Sequence, residues 1–226
     1  MSENIILSLG GSLIAPEEID VAFLRKFRHL ILKHINKGKK FVIVTGGGKI
    51  CRKYQNAARA VVKLEKEDVD WLGIHSTRLN AHLIRTIFRK EAHPKVIKNP
   101  IEKVDFKEKV LIASGWKPGS STDCVAVLLA KNLGAKKIIN LTNVDYVYDK
   151  DPKIKGAKII KEIKWKDFIK IIGTKWDPGL NAPFDPVASQ EAKKDRMTVV
   201  IVNGKNIENL EKVLSGDEFD GTVIKS

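Results

Sequence analysis

The chain has 226 residues, 25.3 kDa in mass and 43% hydrophobic, enough to bury one sizeable core and too apolar for intrinsic disorder. Lysine and arginine (41) outnumber aspartate and glutamate (27), a net charge of +14, which points to anionic partners without separating nucleic acid, membrane and small phosphates. The start runs from Met1 directly into a short apolar stretch with no cationic segment, which argues against a signal peptide or a transmembrane helix, and Cys51 and Cys124 are too far apart to frame a disulfide scaffold or a zinc site, which fits a reducing cytoplasm.

In chain order, Asn4–Leu9 reads as a buried strand closed by Gly10, Gly11 and Ser12. Asp20 caps a helix whose apolar residues Leu24, Phe27, Ile31 and Ile35 recur at spacings of three and four, and Gly38 ends it. Phe41–Val44 is a second strand, left through Thr45, Gly46, Gly47 and Gly48, with helical patterns over 49–62 and 68–90. Val110–Ala113 is a third strand, followed by the loop 114–119 and a helix capped by Ser121, Thr122 and Asp123 and stopped by Gly134. Lys137–Leu141 is a further strand. A lysine-rich stretch, a short helix near 165–172 and a Gly/Pro-rich loop over 173–186 come next. A helix from Pro186, the strand Thr198–Val202, a helix over 207–215 and a short strand close the chain. Strands alternating with helices predict an α/β fold: a three-layer αβα sandwich on a central, mostly parallel sheet.

Ligands of such sheets gather beyond the carboxyl ends of the strands, and the glycines follow Leu9, Val44 and Ala113. Glycine-rich exits into helix N-termini offer backbone N–H groups and a favourable dipole to an anion, so three of them together read as a phosphate cradle; any one alone is as well explained as an ordinary turn. The P-loop, the Rossmann fingerprint, His-Glu-x-x-His and Gly-x-Ser-x-Gly are all absent. His75 and His82, seven apart, have no matched carboxylate or thiol, so no metal site is expected there.

Leu9-Gly10-Gly11-Ser12, Thr45-Gly46-Gly47-Gly48-Lys49 with Arg52, Pro118-Gly119-Ser120-Ser121-Thr122-Asp123, Thr142-Asn143-Val144-Asp145 with Tyr148 and Asp151, and Asp185-Pro186-Val187-Ala188 form one ordered series. It resembles the amino acid kinase family, and within it the archaeal-type uridylate (UMP) kinases, as does the run Asp70-Trp71-Leu72-Gly73-Ile74 with Arg78, Asn80 and Ala81. The resemblance covers nearly the whole chain. It implies a single domain over 1–226, an acceptor lobe to about residue 135 and an ATP lobe over 136–226. It implies ATP and UMP as substrates with Mg²⁺, a cytoplasmic enzyme, and a homohexamer built as a trimer of dimers. Ser8, Leu9, Gly10, Gly11, Ser12 and Gly48 would face the ATP phosphates, with Thr142, Asn143, Tyr148 and Asp151 around the ATP nucleoside. Gly47, Asp70 and the loop Lys117, Pro118, Gly119, Ser120, Ser121, Thr122, Asp123 would take UMP, Asp70 through the ribose hydroxyls. Asp185 would organise the transfer centre, although an N-cap before Pro186 explains the same residue.

Three departures carry expectations. Many amino acid kinases have lysine where this chain has Ser8, so the cation at the transferring phosphoryl is expected from Lys49, Arg52 or Mg²⁺. Tyr146 stands where the family usually has glycine, and a left-handed backbone there would strain a tyrosine by about 1 kcal/mol. Trp116 and Lys117 replace a small residue and His or Gln in the acceptor loop. The function these readings imply is an ATP:UMP phosphotransferase. Other readings are a kinase of a different small phosphate or carboxylate, such as isopentenyl phosphate, and a non-catalytic nucleotide- or oxoanion-binding member of the fold. An RNA-binding protein has least support, because the chain lacks basic–aromatic clusters.

Overall fold

A computed structural model describes residues 4–174 and 182–226. The central part of the predicted Gly/Pro-rich loop, residues 175–181, lies outside the described residues. In chain order the elements are β1 (Asn4–Leu9), α1 (Gly11–Ile14), α2 (Val21–Asn36), β2 (Lys40–Thr45), α3 (Gly48–Val61), α4 (Lys66–Ile87), β3 (Val110–Ala113), α5 (Thr122–Asn132) and β4 (Lys137–Thr142). They continue as β5 (Val147–Tyr148), β6 (Ile159–Ile160), β7 (Glu162–Lys164), α6 (Trp165–Ile172), α7 (Pro186–Lys194), β8 (Thr198–Asn203), α8 (Ile207–Ser215) and β9 (Thr222–Lys225). The predicted strands and helices all form. Three of the caps expected from side-chain chemistry are made: Asp20 accepts from Phe23 N, Ser121 from Cys124 N and Asp185 from Ala188 N.

Seven strands form one sheet in the order β3-β2-β1-β4-β8-β9-β7. Neighbours run parallel except β8 and β9. Alternation along each strand divides the interior in two. Leu7, Leu9, Phe41, Ile43, Ile112, Ile139 and Leu141 face α2, α4 and α8, with Phe27, Ile84, Phe88 and Leu210 filling that layer. Ile6, Val42, Val44, Leu111, Ile138 and Ile201 face α5, α6 and α7, with Leu129, Phe168 and Ala188 opposite. The strands are therefore apolar on both sides, as a doubly covered parallel sheet requires. From β1 the order runs through β2 to β3 on one side and through β4 to β8 on the other, so the direction reverses between β1 and β4, where such sheets open a crevice.

The 143–164 stretch holds more structure than its composition announces. β5 and β6 pair antiparallel as a separate two-stranded sheet, and β7 joins the main sheet beside β9. Strands of two or three residues are too short for alternation to register in sequence. Among the described residues, no helix is long and apolar enough to cross a membrane.

One core residue sets a pH dependence. His34, at the end of α2, is 1% exposed and neither ring nitrogen has a hydrogen-bond partner. Burial, then the nearby Lys39 and Lys37, push its pKa below the ordinary 6.5. The unfolded chain then binds the proton that the folded chain refuses, so stability falls as pH drops below about 6.5. His34→Leu is expected to flatten this acid limb. Urea midpoints at pH 7.5 and 5.5 would test it, and an equal loss in both proteins would contradict it.

Candidate functional site

The loops after β1 and β2 meet backbone to backbone. Gly46 N donates to Leu9 O and Gly10 N to Leu141 O, both at 2.9 Å, which ties the exits of β1, β2 and β4 together. A Cβ on Gly11 would stand 2.5 Å from Gly46 O and closer still to Gly48 N; one on Gly10 would stand 2.8 Å from Leu141 O. Only Gly48 in this cluster also needs its left-handed backbone, at φ 68°. α3 starts at Gly48, so its free N–H groups and positive dipole end lie against Gly11 and Ser12. Two of the three glycine-rich strand exits are thus in direct backbone contact.

Beside it lies a pair of carboxylates. Ser8 Oγ donates to Asp123 Oδ1 at 3.0 Å, and Asp185 N donates to Asp123 Oδ2 at 3.1 Å. Asp185 is 6% exposed. Its Oδ1 accepts from Ala188 N at 2.7 Å and from the Cys124 thiol at 3.4 Å. Asp185 thus makes the expected N-cap of α7 while its backbone and carboxylate lie against Asp123 and Cys124. Asp123 keeps company with Ser8 rather than with its chain neighbours in the acceptor loop, because successive residues of a helix turn about 100° apart. The residue is half-buried, but its carboxylate is hemmed in by protein; burial, with Asp185 beside it, raises its pKa to about 6. A raised carboxyl pKa adds stability at low pH that is lost as pH climbs from the ordinary 3.8 through about 6. Asp123→Asn is therefore expected to raise Tm at pH 8 by about 4–8 °C, following roughly 2 kcal/mol, with the gain vanishing at pH 4. Scanning calorimetry at the two pH values would check it; equal gains at both would place the effect elsewhere. The Cys124 thiol is pushed up to about 12, mainly by burial, which disfavours its thiolate form.

The acceptor loop is strung along α4. Thr77 Oγ1 accepts from Gly115 N at 2.8 Å, Arg78 Nη2 donates to Trp116 O at 3.3 Å, and Asp70 Oδ2 accepts from Gly119 N at 2.8 Å. Gly119 has φ 77° with open space around it, and Ser120 N returns to Lys117 O at 3.2 Å. α4 reaches the phosphate loop as well: Asn80 Nδ2 donates to Gly46 O at 2.7 Å, and Thr45 Oγ1 to Thr77 O at 3.0 Å. Thr77 escaped the motif reading, and Arg78 and Asn80, which stand in the archaeal-like run, carried no role there. Their signal was the polar run Ser76, Thr77, Asn80 inside the buried face of a helix whose apolar residues are Val69, Ile74, Ala81 and Ile84.

The two candidate cations differ. Lys49 Nζ pairs with the exposed Glu17 carboxylate, whose pKa it holds down. Arg52, one turn beyond Gly48 in α3, makes no side-chain hydrogen bond or ion pair among the described residues. Thr142 and Asn143 leave β4 beside Gly10, and Gly204 N donates to Thr142 O at 2.8 Å. Tyr148 is on the small β5–β6 sheet. Asp151 Oδ1 accepts from Lys153 N at 2.9 Å in a local turn, and no hydrogen bond links either residue to the phosphate loops among the described residues. The strain expected at Tyr146 is absent: Arg196, at φ 52°, is the single non-glycine with positive φ among the described residues. Tyr146 instead donates its hydroxyl to Asp220 Oδ1 at 2.7 Å, an ordinary-backbone tether to the segment before β9.

No group of three or more His, Cys, Asp or Glu suited to hold a metal occurs among the described residues. Asp123 and Asp185 are both engaged in protein hydrogen bonds, so these residues do not make an all-protein cage for Mg²⁺.

Residues 3–203 match the amino acid kinase family. The uridylate kinase of Methanobrevibacter smithii is 36% identical over 225 residues, covering 98% of this chain and 99% of that protein. The uridylate kinase of Thermococcus kodakarensis is 33% identical over 227 residues, 98% and 99% of the two chains. Among solved structures, that of the uridylate kinase from Archaeoglobus fulgidus superposes with a TM-score of 0.82 at 30% identity, covering 97% of this chain and 99% of the other.

Proposed function

The chain belongs to the amino acid kinase family, and from that membership and its site geometry we propose that it is a UMP kinase, transferring the γ-phosphoryl of ATP to UMP to give UDP and ADP. The observation that carries the reading is the full-length match to uridylate kinases; the contact of the loops after β1 and β2 and the Asp70–Gly119 hydrogen bond support it.

A phosphate oxygen of UMP attacks the γ-phosphorus in line, the bond to the β-phosphate oxygen breaks, and ADP leaves with that electron pair. The UMP phosphate is anionic at neutral pH, so no general base is needed, and positioning with electrostatic stabilisation supplies the rate. The backbone at Gly10, Gly11, Ser12 and the α3 N-terminus is suited to the donor phosphates, with Gly47 and Gly48 between donor and acceptor. Arg52 supplies a planar fork of donors to the oxyanions in flight. Asp70 has one carboxylate oxygen on Gly119 N and the other left for ribose hydroxyls. Thr142, Asn143, Tyr148 and Asp151 form the nucleoside end of the ATP site. ATP enters with Mg²⁺ as part of the substrate. The acceptor lobe runs to about residue 135 and the ATP lobe follows; the assembly is a cytoplasmic homohexamer, for which light scattering should return six times the chain mass.

A coupled assay over UMP, CMP and isopentenyl phosphate tests the acceptor, with UDP formation from UMP expected. Turnover of another acceptor without UMP turnover would overturn the choice. Calorimetric binding of UMP and ATP with no UDP formed would make the protein a non-catalytic member of the fold.

A further inference from the structure

Arg78 has a feature that fold stability does not explain. Its Nε is buried without a partner, and no carboxylate pairs with it among the described residues. A buried guanidinium nitrogen left unsatisfied is costly, and such costs persist where they serve something else. What Arg78 does touch lies in one line. Its guanidinium stands over the Trp71 ring at 5.8 Å, and Nη2 donates to the Trp116 carbonyl at 3.3 Å. Trp71 is itself steadied, donating Nε1 to Glu67 at 3.2 Å with His75 tilted against it at 6.0 Å. Trp116 packs into the second core layer and presents its ring to the Lys117 ammonium, 4.2 Å from the centroid. Two residues on, Asp70 fixes Gly119 N.

We propose that Arg78 is a positioning residue for the acceptor nucleotide: through the Trp116 carbonyl and ring it holds Lys117 where the anionic end of the acceptor arrives. Lysine is a flexible point charge, and fixing it costs rotamer freedom that a ligand would otherwise supply from its binding energy. A ring packed against the core and a carbonyl pinned by Arg78 remove much of that freedom before the acceptor binds. Arginine suits the role because its plane can stack on Trp71 while an edge N–H reaches the carbonyl, which a lysine cannot do at once.

The inference rests on the UMP kinase reading, and steady-state kinetics on wild type, R78A, R78K, K117A and R78A/K117A, with UMP and ATP varied in turn, separate the two. R78A is expected to raise the KM for UMP about tenfold, the usual loss for a charged hydrogen bond, with kcat and the KM for ATP within about twofold. R78K should recover only part of the loss, and R78A/K117A should be no worse than the worse single variant, because Arg78 acts through Lys117. A double variant whose defect is the product of the singles, a KM for ATP that rises in parallel, or a KM for UMP that does not move would each overturn it while the kinase reading stands. A wild type that makes no UDP from UMP overturns both. If R78A does not fold, R78K with K117A and R78K/K117A closes the same cycle.

Discussion

Arg52→Ala is expected to lower kcat/KM for UDP formation by about 10²–10³, the usual consequence of removing one fixed donor from a site that stabilises developing charge. Lys49→Ala is expected to cost less than about tenfold, by the same scale. Three observations rank them this way. Ser8 stands where many relatives in the fold carry lysine, and its hydroxyl is spent on Asp123, so the opening loop contributes no cation. Lys49 is neutralised by Glu17 at the exposed surface, where an ion pair is worth little but must still be broken before the ammonium can serve a phosphate. Arg52 feels Glu17 only at longer range, with no hydrogen bond or ion pair among the described residues, and sits one turn into α3. Arg52→Lys tests geometry against charge: with a point charge but no planar fork, it should recover only part of the rate. Initial-rate kinetics with UMP and ATP varied separately give the comparison. If both alanine variants stay within twofold of wild type, neither side chain is the electrophile; if Lys49→Ala is the more damaging, the Glu17 pair opens when substrate binds.

The fold was readable because its signals are local and redundant. Residues such as Ile6, Leu7, Val42, Ile43 and Ile139 are buried on both faces of the sheet and so stand as short apolar runs; Asp20, Ser121 and Asp185 stand before helices that need a cap; Gly38 and Gly134, at φ 85° and 70°, stand where helices stop. β5, β6 and β7 left no such trace. Their pairing is specified from elsewhere, by Val147 N on Thr222 Oγ1 and by the register of β9. At the site, composition marked the loops but could not say which loops touch. Ser8 and Asp123 are 115 residues apart, and nothing in either neighbourhood encodes the hydrogen bond between them. The glycine rule at Tyr146 failed for a similar reason: a side chain that finds Asp220 beyond the loop can hold it in ordinary backbone geometry. α4 shows the same division. Its apolar stripe announced a helix, while the polar side chains that grip the loops after β2 and β3 become visible only when those loops are in place.

Gly11→Ala is expected to abolish most of the activity while the sheet still folds. The added methyl carbon would meet Gly46 O at 2.5 Å, Gly46 C at 2.6 Å and, nearer still, Gly48 N. All three are backbone atoms, so no side chain can swing aside, and relief requires the two phosphate loops to separate by about 1 Å to reach ordinary contact distance. Overpacking of this kind costs about 1–3 kcal/mol, which an α/β domain of this size can survive. The chemistry is less tolerant. If the N–H groups of both loops serve one phosphoryl, as proposed, a 1 Å misplacement costs about 10²-fold in rate. Gly38→Ala provides the control, because Gly38 has φ 85° with nothing within 4 Å of an added Cβ. It should lose about 1 kcal/mol through backbone strain alone and leave kcat/KM unchanged. Measuring Tm and kcat/KM on both variants separates a glycine kept for close approach from one kept for conformation. A Gly11→Ala enzyme within fivefold of wild type would show that the contact of the two loops is architectural and that the γ-phosphoryl is held by other donors.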